Sequence, residues 1–285
     1  MNNKQELSWR PLGALAPTDL SPTRLALHWA VQPIAAVGFA LVEAAQDYSH
    51  TNILWDHQRN GFVGRATKLG YRLAFDIEAF GLVVLDPSGE QRASFSMSEQ
   101  TLADAFAWAA GELFKTGHEL PAEGLVLPSY DLPQSPIQDG AKFDHPDSEA
   151  LAELARWYAN GAMVLADLSG SNAAASAVRC WPHHFDIAVL ITLDPDEKDA
   201  EKARSIGVGL SPGDGLYPQP YVYVTPWPYP SDPPQPQLAG GAEWHTEGWF
   251  GAVLTGETLV AAADPEAALR SALDSAMDAS MNMLG

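Results

Sequence analysis

Two imidazoles and a carboxylate stand together in Arg179-Cys-Trp-Pro-His-His-Phe-Asp186, and Glu243-Trp-His-Thr-Glu247 groups Trp, His and carboxylate again further along the chain. His184 with Asp186, and His245 with Glu247, are each two positions apart. In an extended strand that spacing puts both side chains on one face. A His-x-carboxylate pair joined by a distant His is the ligand pattern that holds non-haem iron with open coordination positions, and the same donors suit catalytic zinc. His184, Asp186 and His245 complete such a set. His183 joins it if Pro182 allows a bulge, and His50, in Asp47-Tyr-Ser-His-Thr-Asn52, is a further ligand candidate. A divalent metal, zinc or iron, is the cofactor this pattern calls for. It would activate water or a substrate oxygen while Glu247 or Asp214 moved protons.

The same residues have a second reading. Trp181, Tyr217, Tyr221, Tyr223, Trp227, Tyr229, Trp244 and Trp249 cluster with Pro in the second half, and Trp181, Tyr221 and Trp244, with Arg179 beside them, fit a pocket that stacks and hydrogen-bonds a small polar ligand such as a carbohydrate without any metal. A third reading is a structural protein whose Pro-rich aromatic rim docks a partner. The plainest alternative is that the histidines are partly buried and satisfied by Asp186, Glu247 and backbone carbonyls. Metal content separates the first reading from the others.

Two apparent motifs fail on mechanism. Gly209-Leu-Ser-Pro-Gly213 matches the Gly-x-Ser-x-Gly pattern of serine hydrolases, but Pro212 has no N–H for an oxyanion hole and Gly-Asp-Gly replaces the helix that should follow. Ser-Pro-Gly-Asp-Gly reads as a tight turn that places Asp214. Cys180 lies too close in sequence to His183 for a thiol–imidazole dyad, and it reads as a buried structural residue.

The elements that would position these groups show an order that occurs twice. Ser21-Pro22 opens a helix running to about residue 45, with a break at Pro33. Strand patterns follow at about 51–66, 70–85 and 91–97, with Asp86-Pro-Ser-Gly89 as a turn. Ser98 is the expected cap of a helix over about 99–115, with Leu102, Ala105, Phe106, Ala109 and Leu113 as its apolar stripe. A helix at about 147–167 begins the second round. Strands at about 177–193, 204–210, 220–226 and 247–255 follow, and Asp264-Pro265 opens a last helix. The Pro-rich run from Tyr217 to Pro236 is expected at a sheet rim.

This order predicts an α+β fold of antiparallel sheets with flanking helices and an internal helix–strands–helix duplication. The expected division is a first half over 1–116, a Pro- and Gly-rich connection over 117–146, and a second half over 147–285 that carries the candidate site.

With 285 residues, 46% of them hydrophobic, the chain has material for a substantial core. A formal net charge of -20 and the lack of any basic stretch argue against nucleic acid or an anionic membrane surface as partner. The longest apolar stretch, Ala30 to Val42, falls short of the ~20 residues of a membrane span. The first residues lack a signal-peptide pattern, and a single cysteine suits a reducing compartment, so the expected location is the cytoplasm. Oligomeric state leaves no signature.

Trp181-Pro-His-His-Phe-Asp186, Ser211-Pro-Gly-Asp-Gly-Leu-Tyr-Pro-Gln-Pro-Tyr-Val-Tyr223 and His245-Thr-Glu-Gly248 resemble motifs of an uncharacterised bacterial family, one of the domain-of-unknown-function groups. Asp47-Tyr-Ser-His50 resembles its N-terminal part. The resemblance spans most of the chain and implies no activity.

Overall fold

A computed structural model describes residues 7–197, 199 and 202–285. The opening six residues, on which the absence of a signal-peptide pattern partly rests, lie outside them. The chain forms two interleaved compact units. The N-terminal unit comprises residues 20–155 and 179–185; the C-terminal unit takes 156–178 and 186–285 together with the stretch before residue 20. Residues 117–146 count with the N-terminal unit.

In the N-terminal unit, α1 (Ser21–Ala30) and α2 (Gln32–Leu41) each carry Pro in the first turn, where its missing N–H costs nothing, and they meet at Val31. Almost all of α2 is buried. A Cβ at Gly64 would lie 2.5 Å from Ile34 Cγ2, so glycine lets α2 settle onto the sheet. The helical stretch Pro17–Leu41 is long and apolar enough to cross a membrane, which corrects the shorter estimate from sequence; 72% of its most apolar window is buried within the protein, as expected of a core element.

Strands β1 (Ile53–Asp56), β2 (Gly61–Gly64), β3 (Arg72–Asp76), β4 (Gly81–Leu85) and β5 (Gln91–Ser96) form an antiparallel meander. The Asp86 turn forms as expected: the carboxylate accepts the Ser88 and Glu90 amides, and Gly89 takes φ +88, a left-handed value that glycine adopts without strain. Helix α3 (Leu102–Lys115) follows, but its cap is Thr101, not Ser98. Thr101 accepts the Asp104 amide and Asp104 accepts the Thr101 amide, a capping box that satisfies two orphan amides at once. Leu102, Ala105, Ala109 and Leu113 bury the expected stripe, with Phe106 only half-buried, and each leucine stabilises by roughly 1.5–3 kcal/mol. Helix α4 (Ser148–Ser171) begins in this unit, and β6 (Arg179–Trp181) pairs with β1 through Cys180 and Ile53.

The C-terminal unit repeats the order of helix, strands and helix. Its strands are β7 (Asp186–Thr192), β8 (Ser205–Ser211), β9 (Tyr221–Trp227), β10 (Glu243–His245) and β11 (Gly251–Thr255), followed by α5 (Gly256–Ala261) and α6 (Pro265–Leu284). The spatial order is β7-β8-β9-β11-β10, all antiparallel. The architecture is therefore α+β, built on antiparallel sheets with flanking helices.

One expectation fails here. Strand β9 lies between β8 and β11 and not at a rim, although it contains Pro226. The proline sits at the penultimate position, past the last residue paired with β11, so a missing N–H there interrupts no ladder bond to that strand.

Alternation sorts this sheet into two faces. Ile187, Val189, Val208, Leu210, Val222, Val224 and Leu254 face one way and are buried. Gly161 of α4 allows close packing there, since a Cβ would lie 3.1 Å from Leu210 Cδ1. The other face carries Asp186 on β7, Gly207, Gly209 and Ser211 on β8, Tyr221, Tyr223 and Thr225 on β9, and Gly251 on β11. This polar and aromatic face holds the candidate site.

Candidate functional site

The residues nominated from sequence divide between the two units. In the N-terminal unit, Pro182 to Phe185 form a turn, with the His184 and Phe185 amides donating to the Trp181 carbonyl and Phe185 at φ +59. His184 is therefore exposed on a turn and not on a strand face. The turn is held from α1 and α2: the Pro182 carbonyl accepts from His28 Nε2 at 2.8 Å and from Gln32 Nε2 at 3.0 Å. Tyr130 in turn donates its hydroxyl to Gln32 Oε1 at 2.5 Å.

Burial lowers His28 to about 4, against the pull of the Pro182 carbonyl, with Arg24 and His184 adding to the depression. The carbonyl can only accept, so the ring carries a hydrogen on Nε2, and burial favours its neutral form. His183 lies half-buried between Tyr130 and Trp181, and burial followed by His184 lowers it to about 4.

Trp181 is thus a neighbour of His183. Arg179 is engaged by Asp47 at 3.0 Å, and Asp47 is held down to about 2 by its hydrogen bonds from Ser49 and then by Arg179. His50 is buried, accepts the Ala45 amide at Nδ1, and stacks with Phe39 and Tyr48. Each of these side chains is engaged by its neighbours.

In the C-terminal unit the second nominated pair also changes meaning. Strand β10 ends at His245, so Glu247 lies in the following turn with its side chain exposed. It is the Glu247 carbonyl, not the carboxylate, that accepts from His245 Nε2 at 2.7 Å, and Tyr217 donates its hydroxyl to Nδ1 at 2.9 Å. Both ring nitrogens are occupied. Asp214 holds its own turn, accepting the Leu216 and Tyr217 amides at 2.8 Å each on one oxygen and the Tyr221 hydroxyl at 2.7 Å on the other. Ser211 Oγ accepts the Gly213 amide, as a turn residue does. Trp244 donates to the Pro236 carbonyl and stacks on Phe250.

Among the described residues, no three His, Cys, Asp or Glu side chains gather as a metal-holding group. The set His184, Asp186 and His245, with His183 and His50, is accordingly not assembled. The reason is local: both His-x-carboxylate pairs straddle the end of a strand, so neither shares a strand face.

What this unit does assemble is a phenol-rich network. Tyr223 hydrogen-bonds buried Asp186 across β8. The crossing needs Gly209, because a Cβ there would lie 2.5 Å from both Cζ and Oη of Tyr223. Tyr217, Tyr221 and Tyr223 follow one another with centroid spacings of 4.9 and 6.2 Å. Burial and then Asp214 push Tyr221 well above the ordinary phenol range; Tyr217 is raised by burial and then by Asp214, Glu243 and Glu247.

His245 packs against Trp249 with ring centroids 4.3 Å apart and tilted by 34°, and Trp249 lies over Gly251, where a Cβ would meet its Cζ3 at 2.7 Å. Trp249 then forms one wall of a cleft of about 410 Å³, with Tyr229, Phe250, Ser231, Asp232, Gln235 and Thr246 among its lining. Sequence reading named Tyr223, Tyr229 and Trp249 among the clustered aromatics without fixing their positions, and it missed Asp232. The available signal was glycine inside strand patterns, at 209 and 251, which marks close approach of another group.

Fold and site together define an α+β protein whose C-terminal unit presents a Tyr/Asp/His network behind an aromatic cleft. Residues 12–285 match the model of DUF5996, a family of unknown function, and the chain belongs to that family. The resemblance read from its motifs thus holds at the level of the family. No curated protein and no solved structure matches the chain.

Proposed function

We propose that the C-terminal unit binds a small polar ligand in the cleft between the 229–235 loop and the 246–250 turn, without needing a metal. The observation that carries this reading is the seating of Trp249. Its ring is pressed onto Gly251 and packed, tilted by 34°, against His245, whose two nitrogens are fixed by Tyr217 and the Glu247 carbonyl. A wall held this firmly loses little freedom when a ligand stacks on it.

The cleft volume of about 410 Å³ falls in the range of small-molecule sites, and its lining mixes three rings with Ser231, Asp232, Gln235 and Thr246 as hydrogen-bonding groups. A hollow of about 610 Å³ in the N-terminal unit is lined by the single segment 134–141 and has no aromatic ring. It offers no stacking surface.

Thermal denaturation in the presence of a panel of sugars, amino acids and small ammonium compounds tests the reading. A ligand at 100 times its Kd stabilises by about 2.7 kcal/mol. A panel member should raise the Tm of the natural chain and leave Trp249→Ala and Tyr229→Ala unmoved. Equal shifts in all three proteins, or no shift across the panel, would refute it.

A further inference from the structure

Resting on that cleft, we propose that its ligand is an organic ammonium cation, a quaternary or alkylated amine, recognised by ring faces and carboxylates. The lining includes Tyr229 and Trp249 beside the buried Phe250, and ring faces attract a cation through their negative quadrupole, Trp most strongly. Asp232 is exposed within the same lining, and Glu247 lies between the lining residues Thr246 and Gly248 with its side chain exposed, since only its carbonyl is engaged by His245. No lining residue is Lys or Arg.

The bias extends well past the cleft. From Ser205 to Val260 the chain contains five carboxylates, Asp214, Asp232, Glu243, Glu247 and Glu257, and no Lys or Arg. Arg270, the next cation along the chain, is engaged by Asp167 and Glu266. The negative field reaches the residues behind the wall: Tyr217, which fixes His245 against Trp249, has its phenol raised by Glu243 and Glu247 after burial and Asp214. A fixed net charge of -20 concentrates cations at such a surface and repels anionic ligands. A neutral sugar would gain from the rings but nothing from this field.

Isothermal titration with three probes separates the possibilities: choline, its neutral isostere 3,3-dimethylbutan-1-ol, and methyl β-glucoside. The expected result is choline binding at least about tenfold tighter than the isostere, consistent with a partly desolvated cation–ring contact. That binding should weaken severalfold in Asp232→Asn and again in 0.5 M NaCl, because exposed charges are screened. Asp232 is in an exposed loop, so this variant keeps the fold, and Trp249→Phe, which retains a weaker ring, should bind choline with intermediate affinity. Equal affinity for choline and the isostere, or binding of the glucoside alone, overturns the cation inference and leaves the cleft reading standing. Failure of all three probes to bind overturns both.

Discussion

His28 offers a quantitative check on how the Trp181–Phe185 turn is held. Its imidazole donates to the Pro182 carbonyl, stacks on Phe185 at 5.1 Å, and is lowered to about 4 chiefly by burial. In the unfolded chain the ring takes its proton near pH 6.5. Its contribution is therefore fully present above pH 6.5 and is lost as the pH falls from there towards 4, because only the unfolded state gains a proton in that window. Between pH 7 and pH 5 the linkage amounts to about 2 kcal/mol.

His28→Gln removes the titrating group, while Gln32 still donates to Pro182, so the turn keeps a donor. Asp47, Asp86 and Asp194, each lowered to about 2, lose their contributions mainly below pH 4. His183 titrates in both proteins and cancels from the comparison. Urea denaturation at pH 7, 6 and 5 should show the natural chain losing about 2 kcal/mol more than His28→Gln across that range. Parallel losses in the two proteins would refute the assignment of a buried, neutral His28.

Other perturbations follow from named contacts. Gly209→Ala should destabilise by about 1–3 kcal/mol because Tyr223 must leave its path to Asp186; in Tyr223→Ala the same substitution should cost far less, a coupling that a double-mutant cycle by chemical denaturation reads directly. Tyr217→Phe should cost about 1 kcal/mol and loosen Trp249, seen as a weakened indole environment in near-ultraviolet circular dichroism with the secondary structure intact. Arg179→Ala should change stability by less than about 1 kcal/mol, since its Asp47 partner is largely exposed; a larger loss in thermal denaturation would show that the ion pair matters more than its exposure implies. Finally, metal content of untagged protein should be the same in the natural chain, His184→Ala and His245→Ala, since these side chains do not share a ligand set.

Much of the fold was legible because local chemistry and tertiary packing agree. Pro22, Asp86-Pro-Ser-Gly89 and Asp264-Pro265 each begin or end an element where their backbone preferences say they should, whereas Ser21 lies inside the first helix and Leu20 is its N-cap, with no side-chain cap bond. The cap at Thr101 was missed because Ser98 has equal intrinsic merit, and only the reciprocal bond with Asp104 decides between them.

The arrangement of the nominated residues was not legible, because the same-face argument assumed strand geometry through residues that turn. Phe185 at φ +59 cannot be read from its type, since bulky residues rarely adopt that region. The Tyr223–Asp186 bond joins β9 to β7 over β8, a relation that exists only once three strands are in register. Trp249 is similar: its role depends on Gly251, the residue two places on, and on His245 from the neighbouring strand.

The most direct test of the central claim is the indole ¹H–¹⁵N spectrum of the protein during titration with choline, with the Trp249 signal assigned by its loss in Trp249→Phe. A ligand seated in the cleft should move the Trp249 resonance progressively to saturation while the buried Trp29 and Trp157 stay in place. If ligand binds and the Trp249 signal does not move, the cleft is not the binding site and the account of the C-terminal unit is wrong.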